Sequence, residues 1–307
     1  MATTNNITTT YAGEFANKYI SAALLSSASI ENGAVEVIPN IKYKHVISRL
    51  DAASLLADAT CDFTDTGTFT QVERILTPKE LQVNAILCKK DYHDTWEAVS
   101  MGYSAHDVLP KKFADYLVGL IAAKVANDNE ISIWSGATGT SGEFDGFETL
   151  LALDANLPAA QEVTGTTVTS ANVIAQMNLV VAAIPDAVYG AEDLAIRIPT
   201  NVAKAYIAAQ AALGYRDLYN VDKTEMNFQG INLIVCPGMT SNVMIAGRSS
   251  NFFFGTGLMS DHNEVKVIDT SATLGDDNVR IVMRFTAGVQ YGVVEDIVTY
   301  GIVNAAN

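Results

Sequence analysis

The sequence is poor in charged side chains, and in basic ones above all. Only 17% of its 307 residues are charged, and 19 Lys and Arg face 34 Asp and Glu, for a formal net charge of −15. Tight binding to nucleic-acid phosphates depends on clustered Lys and Arg, so we do not expect it of the folded surface. Because 49% of the residues are hydrophobic, we expect a subunit that buries surface against copies of itself.

Signatures of membranes, secretion and disulfides are also missing. No run approaches the roughly 18 apolar residues of a membrane span. The opening residues, Met-Ala-Thr-Thr-Asn-Asn, contain no basic or apolar leader segment, so we expect no signal peptide and folding in a cytoplasm. Cys61, Cys88 and Cys236 fit no disulfide framework, which predicts reduced and mostly buried thiols.

Motifs for catalysis and cofactor binding are weak. Gly255-Thr256-Gly257 resembles half of a dinucleotide fingerprint, but Ser260 replaces the third glycine and a predicted strand follows, so no helix N-terminus would hold a pyrophosphate. Neither Gly-x-Ser-x-Gly nor a P-loop occurs. Three acidic and histidine groups are better explained as solvated loop charges than as metal ligands: Asp91, His93 and Asp94; His106 and Asp107; Asp261, His262 and Glu264. We predict no catalytic residue, metal or cofactor.

Residues 35–98 alternate in the manner of strands, at 35–38, 43–47, 71–76 and 81–87. Asp65-Thr66-Gly67, flanked by Phe and Thr, has good turn chemistry. The pattern predicts a long, mostly polar β-hairpin with its tip near residues 65–68. Since isolated hairpins are only marginally stable, this one needs another surface to lie on.

A long helix is predicted at 110–134. Pro110 suits the first helical position, and one apolar stripe follows it, formed by Phe113, Leu117, Leu120, Ile121 and Val125. At 1.5 Å per residue the helix would span roughly 37 Å.

The rest of the chain mixes helices and strands. Between 168 and 250 the patterns predict helices at 170–184 and 202–213, strands at 193–198, 231–236 and 243–246, and a polar loop at 214–225. The segment 251–300 opens with an aromatic run and then alternates, with Val279, Ile281, Met283 and Phe285 on one face and Arg280 and Arg284 on the other. Thr286-Ala287-Gly288 is expected to bend one strand into the next without ending the sheet.

This closing segment resembles that of the major capsid protein of tailed double-stranded-DNA bacteriophages, the Hong Kong 97-like fold. The order of hairpin, long helix, α/β insert and strands resembles that fold along the whole chain. The resemblance implies an α+β fold with an N-terminal arm (1–34), an extended β-hairpin loop (35–100), a peripheral-domain sheet (101–167 and 251–307) with a spine helix (110–134), and an α/β axial domain (168–250).

The resemblance also implies a structural role. Copies would assemble into hexamers and pentamers of an icosahedral shell that encloses phage double-stranded DNA without sequence-specific binding, in the bacterial host cytoplasm and then the virion. Scaffolding, portal and decoration proteins are candidate partners, and no membrane is implied. Contacts between subunits would fall at the extended-loop tip and at an axial-domain loop, namely Asp62, Phe63, Asp65, Thr66, Gly67 and Phe69, and Gly214, Tyr215, Arg216, Asp217 and Tyr219.

Two alternatives stay open. An encapsulin-like compartment shell shares the fold and encloses enzymes instead of DNA. A cytosolic α/β enzyme with an unrecognised site is the other, and the long polar hairpin and the lack of a convergent motif count against it.

Overall fold

The structure, a computed structural model, describes residues 28–52, 55–56, 58–59, 61, 65, 67–88, 111–214, 226–257, 266–270, 275–276 and 278–305, with backbone alone at 111–118, 267 and 269. Its helices are α1 (Ala28–Glu31), α2 (Lys111–Ser135), α3 (Phe147–Ala152), α4 (Val173–Ala182), α5 (Asp186–Tyr189) and α6 (Thr200–Ala212). Its strands are β1 (Glu36–Ile38), β2 (His45–Ala52), β3 (Phe69–Leu76), β4 (Lys79–Cys88), β5 (Glu162–Val163), β6 (Leu194–Ile198), β7 (Met226–Phe228), β8 (Ile231–Val235), β9 (Met244–Arg248), β10 (Phe252–Thr256), β11 (Lys266–Asp269), β12 (Asn278–Tyr291) and β13 (Val298–Tyr300).

The long strand β12 organises the first sheet. β4 pairs antiparallel with it over residues 278–287, while β11 and then β10 pair antiparallel along its other side. β1 adds to β10 in parallel. The predicted alternation along β12 is confirmed, with Val279, Ile281, Met283 and Phe285 buried and Arg280 and Arg284 exposed.

The expected bend at residues 286–288 does not divide β12 into two strands. Ala287 pairs with both Lys79 and Thr256, and Gly288 lies opposite Gly255. The alternation of apolar and polar residues stops there in the sequence because Ala287, Gly288 and Val289 are all buried. The sheet therefore continues through this point, as predicted, within a single strand of 14 residues.

The predicted hairpin is confirmed over residues 45–76, where both strands are longer than the runs 43–47 and 71–76, but β1 does not belong to it and pairs with β10. β2 and β3 pair antiparallel over eight residues each, from His45 opposite Leu76 to Ala52 opposite Phe69. At its tip Gly67 donates its N–H to Asp65 Oδ1 at 3.4 Å, the kind of side-chain contact that favours Asp in turns. β4 leaves the hairpin and joins the first sheet instead.

The second sheet has six strands in the order β5-β13-β9-β6-β8-β7. All five residues of β6 are buried. Helices α4 and α6 supply the apolar cluster on this sheet, through Val173, Met177, Val202 and Tyr206 among others. The predicted helices and strands of the insert all form, with ends shifted by one to three residues in most cases, as is usual for element boundaries.

The predicted long helix is confirmed as α2, and its C-terminal half lies within the core. Val125 is buried and Ile121 packs against the same cluster, whereas the side chains of Phe113 and Leu117 lie outside the described set. Near its end Trp134 meets Phe147, and Phe147 meets Phe252, at centroid separations of 5.3 and 5.1 Å. These rings join α2, α3 and β10 into one core. Among the helices that the structure describes, none has the length and apolar character needed to cross a membrane.

Candidate assembly surfaces and the joint beneath them

The hairpin exposes apolar side chains on one face. In an antiparallel pair, directly opposite residues lie on the same side, which places Val46 beside Ile75 and Ala52 beside Phe69, with Leu50 between them. Between 48% and 69% of Val46, Leu50, Phe69 and Ile75 is exposed. Burying a side chain of this size contributes roughly 1.5–3 kcal/mol, so the face would gain stability from a second surface.

Three polar contacts among the described residues hold the hairpin to the body of the subunit. Arg74 forms an ion pair with Asp154 at 2.6 Å, and Arg49 forms one with Glu295 at 3.0 Å. Gln290 Nε2 donates to the carbonyl of Ile75 at 3.3 Å. These contacts fix the direction in which the strands leave the first sheet.

Asp154 is the most enclosed of these anchors. Its Oδ2 accepts from Arg74 and, at 2.7 Å, from the hydroxyl of Tyr291, while Oδ1 accepts from the backbone and side chain of Asn156. Burial opposes the charge, but the hydrogen bonds from Asn156 and Tyr291 and the guanidinium of Arg74 together lower the pKa of Asp154. The Arg74 guanidinium also lies 4.6 Å from the centre of the Tyr291 ring, a cation–π arrangement.

A buried joint, formed by Ser29, Ala34, Glu130, Trp134 and Arg197, ties the segment 28–38 to the rest of the subunit. Ser29 donates its hydroxyl and its N–H to the carboxylate of Glu130, at 2.5 and 3.2 Å. Trp134 Nε1 donates to the Ser29 hydroxyl at 2.7 Å. Burial raises the pKa of Glu130, and the hydrogen bonds from Ser29 only partly oppose this. Helix α2 is thereby joined to α1 across 101 positions of sequence.

Arg197 completes the joint from β6. Its side chain is fully buried and donates twice to the carbonyl of Ala34, at 3.0 and 2.7 Å, and once to that of Gly247, at 3.2 Å. The guanidinium stacks 3.9 Å from the centre of the Phe252 ring. Burial lowers the pKa of Arg197 to about 10. Arg197 thus holds β1 against the second sheet through backbone acceptors on two segments. No pattern in the sequence predicted this role.

The structure describes only some of the contact residues predicted from sequence. Asp65, Gly67 and Phe69 lie at the hairpin tip, and Asp65 and Phe69 are exposed. Gly214 is exposed at the end of α6, in the left-handed region at φ +73°. The remaining members lie outside the described residues: Asp62, Phe63, Thr66, Tyr215, Arg216, Asp217 and Tyr219.

Gly255 and Gly257 have packing roles. A Cβ at Gly255 would overlap the side chain of Leu76, and the N–H of Gly257 donates to Thr286 Oγ1 at 2.7 Å. Close approach of the hairpin base therefore explains Gly255, and close approach of Thr286 explains Gly257.

The cysteines differ from one another in exposure. Cys236 is buried as predicted, with a pKa raised by burial to about 12, whereas Cys61 is exposed and Cys88 is half-buried. The expectation of mostly buried thiols is thus wrong for Cys61, which belongs to the hairpin tip and not to the core. The eight Asp, His and Glu weighed as metal ligands lie outside the described residues, and the residues that are described contain no cluster fit for a metal.

No family model and no curated protein matches the sequence. Solved structures do match the fold. A chain of the capsid of a native GTA particle superposes with a TM-score of 0.63 at 15% identity, over 92% of this chain and 93% of that one. Chains of Mycobacterium phage Ogopogo and Mycobacterium phage Adephagia give TM-scores of 0.59 and 0.56 at 12% and 13% identity, each over 92% of this chain and 94% of theirs. At such identities the likeness establishes the fold: the protein has the mixed α+β fold of Hong Kong 97-like capsid chains.

Proposed function

We propose that this protein is a major capsid subunit, whose copies assemble into hexamers and pentamers of an icosahedral phage head around double-stranded DNA. The observation that carries the proposal is the hairpin face of Val46, Leu50, Phe69 and Ile75, which is exposed in the single subunit, on a fold shared with the GTA capsid chain. Large apolar side chains exposed on one face of an element favour an interaction site. The role is geometric and needs no catalytic residue or cofactor.

The parts of the fold suit distinct tasks in such a shell. We assign the peripheral domain to residues 101–167 and 251–307, with α2 as its spine, and the axial domain to 168–250. Within the predicted span 35–100 we assign the extended loop to the β2–β3 hairpin, since β1 and β4 pair into the first sheet. The arm, 1–34, and the loop tip at Asp65, Gly67 and Phe69 would clasp neighbouring subunits. The loop that begins at Gly214 would meet its symmetry mates at the capsomer centre. Scaffolding, portal and decoration proteins remain candidate partners.

Electron microscopy of the purified full-length protein, with light scattering to measure particle mass, tests the function. We expect capsomers or closed shells well above the 32.8 kDa of one chain. A protein that stays monomeric at every concentration, alone and with its phage's scaffold, would refute the proposal. The contents of shells isolated from cells separate a phage head, which holds DNA, from an encapsulin-like compartment, which holds protein.

A further inference from the structure

We propose that Glu130 and Glu148 form a proton-controlled latch between the two sheets of the subunit, which is closed in acid and weakens as the pH rises. We call it the carboxyl latch and define it by Glu130 on α2, Glu148 on α3 and the turn 236–240, which joins β8 to β9. The latch lies within a single subunit, so this proposal does not rest on the proposed function.

Both glutamates hold the backbone of the same turn. Glu148 Oε1 accepts from the N–H of Thr240 at 2.9 Å, and the side chain of Thr240 is a second donor. The N–H of Gly238 donates to Glu130, which also accepts from Ser29. Helix α3 packs on β10 of the first sheet and α2 packs on α3, whereas the turn connects two strands of the second sheet. The two carboxyl groups therefore join the two halves of the fold.

The turn lies directly on the backbone of α2. A Cβ at Gly238 would overlap the carbonyl group of Glu130, and Ser135 Oγ donates to the carbonyl of Gly238 at 3.4 Å. Within the turn the N–H of Met239 donates to the carbonyl of Cys236 at 3.2 Å. Because only glycine permits so close an approach, the latch is closed only when the turn and the helix are in contact.

Neither carboxylate has a cation to compensate for its burial. Both side chains are buried, and within the described part of the chain neither forms an ion pair. A buried carboxylate without an opposite charge is disfavoured relative to its neutral form. Burial accordingly raises the pKa of Glu130 and of Glu148, and the hydrogen bonds from Ser29 and Thr240 only partly oppose this.

Protonation costs the latch no hydrogen bond. The hydroxyl of Ser29 lies 2.5 Å from Glu130 Oε1, and since a hydroxyl both donates and accepts, it can accept from the neutral carboxyl group. Glu130 Oε2 still accepts from the N–H of Ser29. In Glu148, Oε1 accepts from Thr240 and the other oxygen can carry the proton. The neutral forms keep these bonds without burying a charge, so the protonated latch is the stable one.

The other titratable groups beside the latch keep one charge state across the relevant range of pH. Cys236 interacts with Glu130, and burial raises the pKa of this thiol to about 12. Arg197 interacts with Cys236 and has a pKa lowered by burial to about 10. Glu148 faces Thr240, which does not titrate. A raised carboxyl pKa stabilises the closed latch below the ordinary glutamate pKa of about 4.3, and that contribution is lost as the pH rises through the folded values.

Hydrogen exchange of the turn, followed by mass spectrometry on the full-length protein between about pH 5 and pH 8, tests the latch. The protection of residues 236–240, corrected for the intrinsic exchange rate at each pH, should fall severalfold in the wild type as the pH rises. In the double variant Glu130→Gln with Glu148→Gln it should stay constant, because Gln keeps an acceptor oxygen and cannot ionise. Glu162→Gln is the matched control and should keep the wild-type pH dependence, since the half-buried Glu162 accepts a backbone N–H from Asn304 at 3.0 Å, outside the latch.

A variant without a change of charge checks the geometry. Gly238→Ala would push the turn away from the backbone of α2, so the protection of the turn should already be low at about pH 5 and should change little up to about pH 8. Wild-type protection of the turn in this variant would contradict the proposal.

The wild-type profile tests the proposal even if a variant fails to fold. Protection of the turn that is the same at both ends of the pH range would overturn the latch. A pH dependence that persists in the double glutamine variant, or that Glu162→Gln also abolishes, would overturn it as well. None of these results depends on whether wild-type chains form shells, so the latch can fail while the proposed function stands.

Discussion

The buried joint and the β2–β3 hairpin both connect distant parts of the chain, but the side chains of the joint are buried and those of the hairpin are exposed. In the joint Glu130 and Arg197 are fully buried and their polar atoms have partners. In the hairpin, Leu50 and Phe69 are more than 60% exposed, and among the described residues Arg49 and Arg74 form its ion pairs with the body of the subunit. Interactions that hold one subunit together are thus separated in space from those available to a neighbour. Mutations in the two regions should accordingly affect different properties.

The largest effect on the subunit is expected from Arg197→Met. The variant leaves the carbonyls of Ala34 and Gly247 without their Arg197 donor in a buried site, and each buried polar group left unsatisfied costs about 1–3 kcal/mol. Arg248→Met is the matched control, since Arg248 is half-exposed and pairs with Asp193 at the surface, where an ion pair contributes about 1 kcal/mol or less. Urea denaturation of the unassembled subunit measures both. If the two variants lost the same free energy of unfolding, the joint would not stabilise the fold.

Two leucines of the hairpin allow the same comparison between buried and exposed side chains within one element. Leu76 is fully buried at the base and Leu50 is 69% exposed. Leu76→Ala should lower the free energy of unfolding by about 2–5 kcal/mol, whereas Leu50→Ala should change it by roughly 0.5 kcal/mol or less. Assembly, followed by light scattering, should respond to Leu50→Ala all the same. A subunit destabilised equally by both changes would place the exposed face inside the subunit's own core.

Asp154→Asn tests the anchor at the base of the hairpin. Loss of the charge leaves Arg74 without its partner, at a cost of about 1–3 kcal/mol. Because the pKa of Asp154 is lowered in the folded state, its contribution is present above the ordinary aspartate pKa of about 3.9 and fades as the pH falls through the folded value. The difference between wild type and variant should therefore be constant at neutral pH and shrink below about pH 4. Glu295→Gln, at an exposed pair with Arg49, is the matched control and should cost about 1 kcal/mol or less.

The smallest effect is expected from Glu130→Gln, with the opposite dependence on pH. Burial raises the pKa of Glu130, so its protonated form stabilises the fold below the ordinary glutamate pKa of about 4.3, and that stabilisation is lost as the pH rises through the folded value. Gln keeps an oxygen that can accept from Ser29 and has no charge to lose. At neutral pH the variant should be at least as stable as wild type, and the comparison should be made by denaturation across pH 4–8. A strongly destabilised variant would show that the ionised carboxylate is needed.

The sequence predicted the parts of the fold whose signals are local. The hairpin follows from alternation and the Asp65 turn, and α2 follows from Pro110 and the spacing of Ile121 and Val125. The apolar and arginine sides of β12 were also predictable, because a strand repeats every two residues. These elements need no knowledge of the rest of the chain.

The buried joint was not predictable in this way. Ser29 and Glu130 are 101 positions apart, and Arg197 and Ala34 are 163 apart. A serine in a short helical turn and an arginine inside an apolar strand give no local pattern that links them. The sequence also predicted the turn at Asp65, but the flanking of Arg280 by Ile86 and Ile268 depends on which strands pair, and that is decided by tertiary structure.

A shortened hairpin tests the central claim, that the outer hairpin serves the neighbour and not its own subunit. Ser48 and Glu73 lie directly opposite each other, so Asn-Gly can replace residues 49–72 as a two-residue hairpin turn while Arg74 and its partner Asp154 are kept. The measurement is the particle mass by light scattering at matched concentration, on protein whose unfolding has been checked. The deletion also removes the exposed pair of Arg49 with Glu295, which contributes about 1 kcal/mol or less. We therefore predict a folded subunit with a free energy of unfolding within about 1 kcal/mol of wild type, and a mass of one chain where wild type gives capsomers or shells. Shells formed by the shortened chain, or a chain that no longer folds, would contradict the account.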